Sequence, residues 1–431
     1  MNAIILVVVF LFLLMIGMPI AFDLGMVTLL GIILLDTIPI ITVAQKIFSS
    51  LNSFVLLAVP LFILAANLMN QGKISEQLIK VADAMVGRFR GGLGYANVLV
   101  SMIFAGISGS SQADTAGIGK ILIPSMVDSG YPKEDAVGVT AASSTIGVII
   151  PPSIPMVIFG SLASVSVGAL FLEGIIPGIL IGLGQMLVIF FHAKKFNYPR
   201  SGAVSLKAML KMFLQYLPSL LTPVIIIGGV VLGIVTPTEA SAIACLYALF
   251  LGCVVFKTIK ISELPKILIE TMIMTAQSLF ALATATALGQ LLSYYKVAGI
   301  IEMFFASSST SPQVFFLYVI ALFLFLGTFM DAIPAMTLAV PVLLPVAVSL
   351  GISPVTFGLV TVITLAIGLI TPPYGLCLLI AGTIANLSIE RSFKAVLPYI
   401  IIILAVDLAV AFFPDLFLYI PKLIRPEWFI A

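Results

Sequence analysis

Ile146-Gly-Val-Ile-Ile-Pro-Pro152 and Ile367-Gly-Leu-Ile-Thr-Pro-Pro373 stand 221 residues apart, and their reading decides the fold. They are the best-marked part of a longer echo. Residues 104–177 recur without a gap at 325–398: Phe104 pairs with Phe325, Gly106 with Gly327, Pro124 with Pro345, Gly130 with Gly351 and Pro177 with Pro398. Apolar coincidences are common in a hydrophobic chain. Coincident glycines and prolines are not, because each dictates backbone shape. The chain therefore reads as two copies of one unit, each with a helix broken at Pro-Pro. That pattern points to a secondary transporter with its site at the repeat interface.

Composition supplies the solvent. Hydrophobic residues make up 61% of the 431 and charged residues 9%, against about 25% charge in a soluble domain. The chain is an all-α polytopic membrane protein embedded in a lipid bilayer. Its single histidine, His192, excludes paired-histidine metal chemistry. Cys245, Cys253 and Cys377 lie in apolar runs without disulfide or metal spacing. Hydroxyl nucleophiles have no evident base and no phosphate-binding Gly-Lys motif is present, so no enzyme is expected. A net charge of +2 gives no reason to expect nucleic acid. The N-terminus lacks a basic region and a cleavage site, so 3–22 reads as a retained span.

The pattern divides the chain at about 212. Repeat 1–212 holds scaffold spans within 1–70 (3–22, 24–42 and 51–70), an amphipathic arm 71–91, a transport part 93–170, a span 175–191 and a connector 192–212. Repeat 213–431 holds scaffold spans 216–256 and 267–292, an arm 293–312, a transport part 315–387 and a span 396–420. Each transport part begins with two apolar pieces too short for a comfortable span of roughly 20 residues. They read as a re-entrant helical hairpin with a polar tip, followed by the Pro-broken helix. Five crossings per half make the two repeats inverted. With the connector cytoplasmic, 15 of the 20 Lys and Arg fall inside, as the positive-inside rule requires. Both termini are then periplasmic. Gly91, Gly92 and Gly94 offer a hinge between arm and hairpin.

Acids inside apolar runs carry function by default. Asp114 and Asp331 sit at the two hairpin tips, although the offset places Asp114 opposite Ala335. Each could instead cap a hairpin helix. Asp23, Glu239 and Asp407 read as structural, with Glu239 following Thr236-Pro-Thr at a helix start. A proline pair removes backbone donors, so carbonyls about a turn earlier lose their partners. With nearby Ser and Thr hydroxyls they make oxygen cages for a hard cation, and half-helix N-termini beside them suit a carboxylate. Two such cages suggest two or more Na+ ions. The competing reading is a plain kink in a packed helix.

Gly106-Ile-Ser-Gly-Ser-Ser-Gln-Ala-Asp-Thr115, Pro124-Ser-Met, Gly130-Tyr, Ala141-Ala-Ser-Ser-Thr-Ile-Gly-Val-Ile-Ile-Pro-Pro-Ser153, Thr236-Pro-Thr-Glu-Ala240 and Thr371-Pro-Pro-Tyr-Gly375 carry a resemblance over the whole chain. It resembles the large membrane subunit of tripartite ATP-independent periplasmic (TRAP) transporters. The resemblance implies an elevator-type ion-transporter-like fold in a bacterial inner membrane. It implies a small four-span membrane subunit and a periplasmic substrate-binding protein as partners, and sodium-driven import of an organic acid substrate such as a C4-dicarboxylate or a sialic acid. Carried over, the sodium sites would involve Ser108, Ser110, Gly147, Ile150 and Pro151 in one repeat. In the other they would involve Gly327, Asp331, Gly368, Thr371 and Pro372. Ser111, Gln112, Asp114, Ser144, Thr145 and Thr328 are the candidate substrate contacts. A single-component sodium/anion carrier of similar architecture is the alternative.

Overall fold

The structure is a computed structural model and describes residues 2–428 apart from 36–38, 201, 203, 298, 300, 302, 304 and 306–310. Its core is the predicted repeat. In the first copy α6 (Gly92–Ser108) and α7 (Ser111–Asp128) form the hairpin, α8 (Lys133–Ser144) and α9 (Ile154–Ala163) the broken helix, and α10 (Val167–Lys195) the following span. The second copy repeats them as α15 (Pro312–Gly327), α16 (Ala332–Ser349), α17 (Pro354–Gly368), α18 (Leu376–Ala385) and α19 (Ile389–Phe412). Moved by 221, α7 falls on α16 residue for residue. Gly130 and Gly351, both at positive φ, follow the hairpins, and a cis Pro-Pro bond breaks the next helix in each copy.

The two copies pack reciprocally. Helix α7 packs on α18 and α16 on α9; α8 packs on α19 and α17 on α10. This exchange of equivalent partners is the mark of an isologous, two-fold interface. Aromatic rings fill it: Phe159 of α9 lies 6.1 Å from Phe357 of α17, and Phe357 lies 6.4 Å from Phe315 of α15. Gly358 makes room, since a Cβ there would fall 2.4 Å from the Phe159 ring.

The flanking helices follow the same exchange. They are α1 (Asn2–Met15), α2 (Ile20–Leu35), α3 (Ile41–Leu51), α4 (Ala58–Gln71) and α5 (Ile74–Val86), then α11 (Leu206–Gln215), α12 (Leu217–Val231), α13 (Pro237–Phe250) and α14 (Leu264–Tyr294). Helix α2 packs on α14, and α4 on α13. Among the described residues six helices are long and apolar enough to cross a membrane. One of them, α16, pairs with α15 as a hairpin arm, as α7 pairs with α6. Val224, Leu246 and Met272 on α12, α13 and α14 are more than 60% exposed, as lipid- or partner-facing side chains of a membrane protein are.

Several expected boundaries shift. The span drawn at 3–22 ends at Met15, because Gly17 takes a left-handed φ of +83° and the Met18 amide reaches back to Leu13 O at 3.1 Å, a Schellman cap. The span drawn at 24–42 is accordingly α2, and α3 is an additional short helix. The connector 192–212 begins late, since α10 runs to Lys195, and ends in α11, which bends by 59° into α12. The span drawn at 396–420 stops at Phe412, and a separate helix α20 (Pro414–Ile424) starts at Pro414, whose ring disfavours a helical preceding residue. Nine of the twenty residues of the arm 293–312 lie outside the described residues. Glu239 is structural as expected. Thr236 and Glu239 form a capping box, with the Thr236 amide 2.7 Å from Glu239 Oε2.

The α8–α19 contact is backbone-close: a Cβ on Gly138 would meet Ala395 O at 2.8 Å. Gly138→Val should therefore destabilise the protein by about 1–3 kcal/mol, the usual cost of overpacking. Thermal unfolding in detergent measures this, and an unchanged midpoint would disprove the seam.

Candidate functional site

The first hairpin tip is built around a buried acid. Gly109, with φ +63°, closes α6. Ser110 caps α7 by accepting from the Ala113 amide at 3.4 Å. Its own amide donates to Ser108 Oγ at 3.3 Å, and Ser108 donates to Asp114 Oδ1 at 2.5 Å. Asp114 is fully buried, and its other oxygen has no hydrogen-bond partner. That oxygen presses on Gly147, where a Cβ would come within 2.3 Å. The tip also joins the far half of the broken helix, since Gly109 O accepts from the Ile154 amide at 3.2 Å.

The break itself is a 3-10 turn, Thr145–Val148, followed by a cis Pro151-Pro152 bond and an N-cap at Ser153. Ser153 donates to Val148 O at 2.5 Å and accepts from the Met156 amide at 3.3 Å. One of the carbonyls expected to be free is thus taken by the cap of the next helix.

The second tip uses backbone where the first uses side chains. A Cβ on Gly368 would lie 2.6 Å from Gly327 Cα, so only two glycines let this tip touch its break. Thr328 O accepts from the Tyr374 amide at 2.9 Å. Asp331 caps α16, its Oδ1 accepting from the Ala332 amide at 2.7 Å. The offset of 221 makes Asp331 the counterpart of Ser110. The capping reading therefore holds for Asp331, while Asp114 lies one turn inside its helix.

The two tips face each other across a cavity of about 700 Å³. Gln112 Nε2 bridges them, donating to Asp331 Oδ2 at 3.1 Å. Ser110, Ser111, Gln112 and Asp331 line the cavity. The first residues of α7, α9, α16 and α18 (Ser111, Ile154, Ala332 and Leu376) all line it too. Four helix N-termini, with their positive dipole ends, thus converge on one space. Asp331 is the one charged side chain among the described lining residues, and none is Lys, Arg or His.

The other expected residues lie elsewhere. Ser108, Asp114 and Gly147 sit behind the first tip; Gly327 and Gly368 sit behind the second. Ile150 and Pro151 are buried in the first break, and Thr371 and Pro372 are half-buried in the second; Thr371 donates to Ile367 O at 2.8 Å. Ser144 and Thr145 donate to Thr140 O and Ala142 O at 2.7 and 2.6 Å, away from the cavity. The Thr328 hydroxyl turns back to Phe325 O at 2.7 Å. Sequence reasoning missed Gln277 and Ser278 of α14 and Tyr374, which line the cavity. Tyr374 follows Pro373 directly, which was a usable signal; α14 carried none.

Residues 7–416 match the family described as the DctM component of tripartite ATP-independent periplasmic transporters. The chain belongs to this family. Among its relatives, the sialic acid TRAP transporter large permease protein SiaM of Vibrio cholerae is 39% identical over 94% of this chain and 95% of that protein. The C4-dicarboxylate TRAP transporter large permease protein DctM of Rhodobacter capsulatus is 34% identical over 98% and 100%. The sialic acid TRAP transporter permease protein SiaT of Haemophilus influenzae is 35% identical over 97% of this chain and 68% of that longer protein. Among solved structures, the YdaH transporter of Alcanivorax borkumensis matches with a TM-score of 0.61 at 16% identity, covering 87% of each chain. That likeness is one of fold. The chain is thus a large TRAP permease subunit, a multi-span membrane transporter rather than an enzyme.

Asp114 has one described donor, Ser108. Ser108→Ala should strand a buried carboxylate and cost about 1–3 kcal/mol. A midpoint of thermal unfolding equal to wild type would show that Asp114 draws on another partner.

Proposed function

We propose that this permease imports an organic acid anion, such as a sialic acid or a C4-dicarboxylate, in symport with two or more sodium ions. It would do so in a bacterial inner membrane with both termini periplasmic. A small four-span subunit and a periplasmic binding protein would complete the transporter. The observation that carries this reading is the cavity: four helix N-termini converge on it and no basic side chain is among its described lining residues. Helix N-termini favour a carboxylate. Asp331 opposes one, so cations must enter with the anion. Asp114 Oδ2 and Ser111 Oγ, buried without hydrogen-bond partners, are oxygens of the kind a hard cation takes. Each net charge moved inward through about 100 mV yields about 2.3 kcal/mol, so two sodium ions outweigh the entry of a monoanion such as a sialic acid, and a C4-dicarboxylate dianion needs a third.

For the cycle we infer an elevator. Residues 93–170 and 315–387 move as one body, because the Gln112–Asp331 bridge and a Lys133 Nζ to Ala385 O bond of 3.2 Å tie the two copies together. The alternative, a single-component carrier, lacks the dependence on a binding protein.

The test is uptake into liposomes holding both membrane subunits, with the binding protein and a candidate acid outside. Uphill uptake should require both sodium and the binding protein. Uptake without sodium would refute the coupling, and uptake without the binding protein would favour the alternative. Gly147→Val and Gly368→Val should each abolish sodium-stimulated uptake in protein that remains folded in detergent. Normal stimulation in both variants would remove these glycines from the sodium sites.

A further inference from the structure

We propose that the C-terminal tail is a conformational latch, in which Arg425 binds the end of α12 in this state and releases it when the body moves. The proposal rests on the moving-body reading. Helix α19 packs on α8 and α17, and α10 packs on α9 and α17; the latch takes both as extending the body of residues 93–170 and 315–387, with α12, which packs on α6, outside it. Helix α20 packs on α10 and α19. The short turn Pro426–Trp428 follows it, and Trp428 lies against α10 so closely that a Cβ on Gly168 would come within 2.7 Å of its ring. The tail therefore belongs to the body.

Its arginine reaches off that body. Arg425 Nε donates to Val231 O at 3.0 Å, and its Nη2 donates to Leu232 O. Val231 is the last residue of α12 and Leu232 its C-cap. Carbonyls at a helix C-terminus lack intrahelical partners and carry the negative end of the dipole. A forked guanidinium satisfies two of them at once. Gly233, at φ +67°, lets it in, since a Cβ there would lie 2.6 Å from Nη2. The fork is held in place from the body side. Nη1 pairs with Glu427 at 3.1 Å, and the guanidinium sits 5.5 Å from the Trp428 ring centroid. Arginine stays charged at every physiological pH, so this contact is made and broken by displacement and not by titration. It should weight the conformational equilibrium toward the present state without touching the cavity.

Spin labels at Lys207→Cys on α11 and Lys394→Cys on α19, both exposed positions, report body against flanking helices in the liposome-embedded transporter. Two distance populations are expected. Arg425→Gln should shift their ratio away from the present state by roughly tenfold or more, as loss of the two charge-assisted hydrogen bonds implies. Arg425→Lys, which keeps the charge and loses the fork, should fall between. Trp428→Ala frees the guanidinium without removing it and should shift the ratio in the same direction, which keeps the test open if Arg425→Gln does not fold. Two populations whose ratio is unchanged in folded Arg425→Gln would make the tail a static cap and overturn the latch alone. A single distance under all sodium and substrate conditions would overturn the latch and the moving body together.

Discussion

Each hairpin tip touches the backbone of a broken helix at a glycine, and the cavity exists because both do. At Gly368 the contact is glycine on glycine; at Gly147 it is a carboxylate oxygen on a missing side chain. At Gly368 a Cβ would meet the Gly327 backbone and push the tip back; at Gly147 it would displace the Asp114 carboxylate. The N-termini of α7 and α16 would then no longer face those of α9 and α18. Exchange packing between the copies follows from the same contacts, since each tip is fixed to its own break while its second helix packs on the other copy's α9 or α18.

The buried acids Asp114, Glu173 and Asp407 each have one hydrogen-bonded oxygen and one without a partner among the described residues. Thr356 donates to Glu173 at 2.7 Å, and Thr364 donates to Asp407 at 2.6 Å. Both tie a long span to α17 deep in the core. Gln185 donates to Ala142 O at 3.0 Å and does for α10 and α8 what Asp407 does for α19 and α17. These are seams between helices, as expected for Asp407. Asp114 differs in where it sits, with its free oxygen against Gly147 at a hairpin tip.

Much of this was legible because glycine and proline leave marks that hydrophobicity cannot blur. The repeat, both hairpins, both breaks and the polar tips were readable from those residues alone. Span ends were not, wherever they depended on a cap: Gly17 sits in an unbroken apolar run, and its left-handed role shows only once Met18 turns back to Leu13. Nor could spacing separate a cavity residue from one behind the wall. Ser108 and Ser110 are two residues apart, yet one holds Asp114 and the other caps α7 at the cavity edge. Ser144 and Thr145 looked like ligands by composition, but each spends its hydroxyl on its own helix, as Ser and Thr in apolar helices often do.

The glycines 91, 92 and 94 read as a hinge, and their surroundings argue for a tight joint. Gly91 needs its φ of +83°, but its amide is bonded to Pro199 O at 3.1 Å, and a Cβ would meet Ala193 at 3.0 Å. A Cβ on Gly92 would meet Gly87 at 2.7 Å, and one on Gly94 would meet Ile189 at 3.2 Å. These residues let the hairpin pack on the end of α10. The connector holds them there. Tyr198 donates to Asp135 and its ring lies 4.4 Å from that of Tyr131, and His192 Nδ1 sits 3.5 Å from Asp135. Burial, and then the Asp135 carboxylate, push the Tyr198 phenol above its ordinary range, so it stays a donor. The arm's other end is the turn from α4. There Gly72 and Lys73, the latter left-handed at φ 56°, join α4 to α5. That joint is bonded as well: Thr258 Oγ1 donates to Gly72 O at 2.9 Å and the Gly72 amide to Leu68 O at 2.8 Å, so in this state α5 is fixed at both ends.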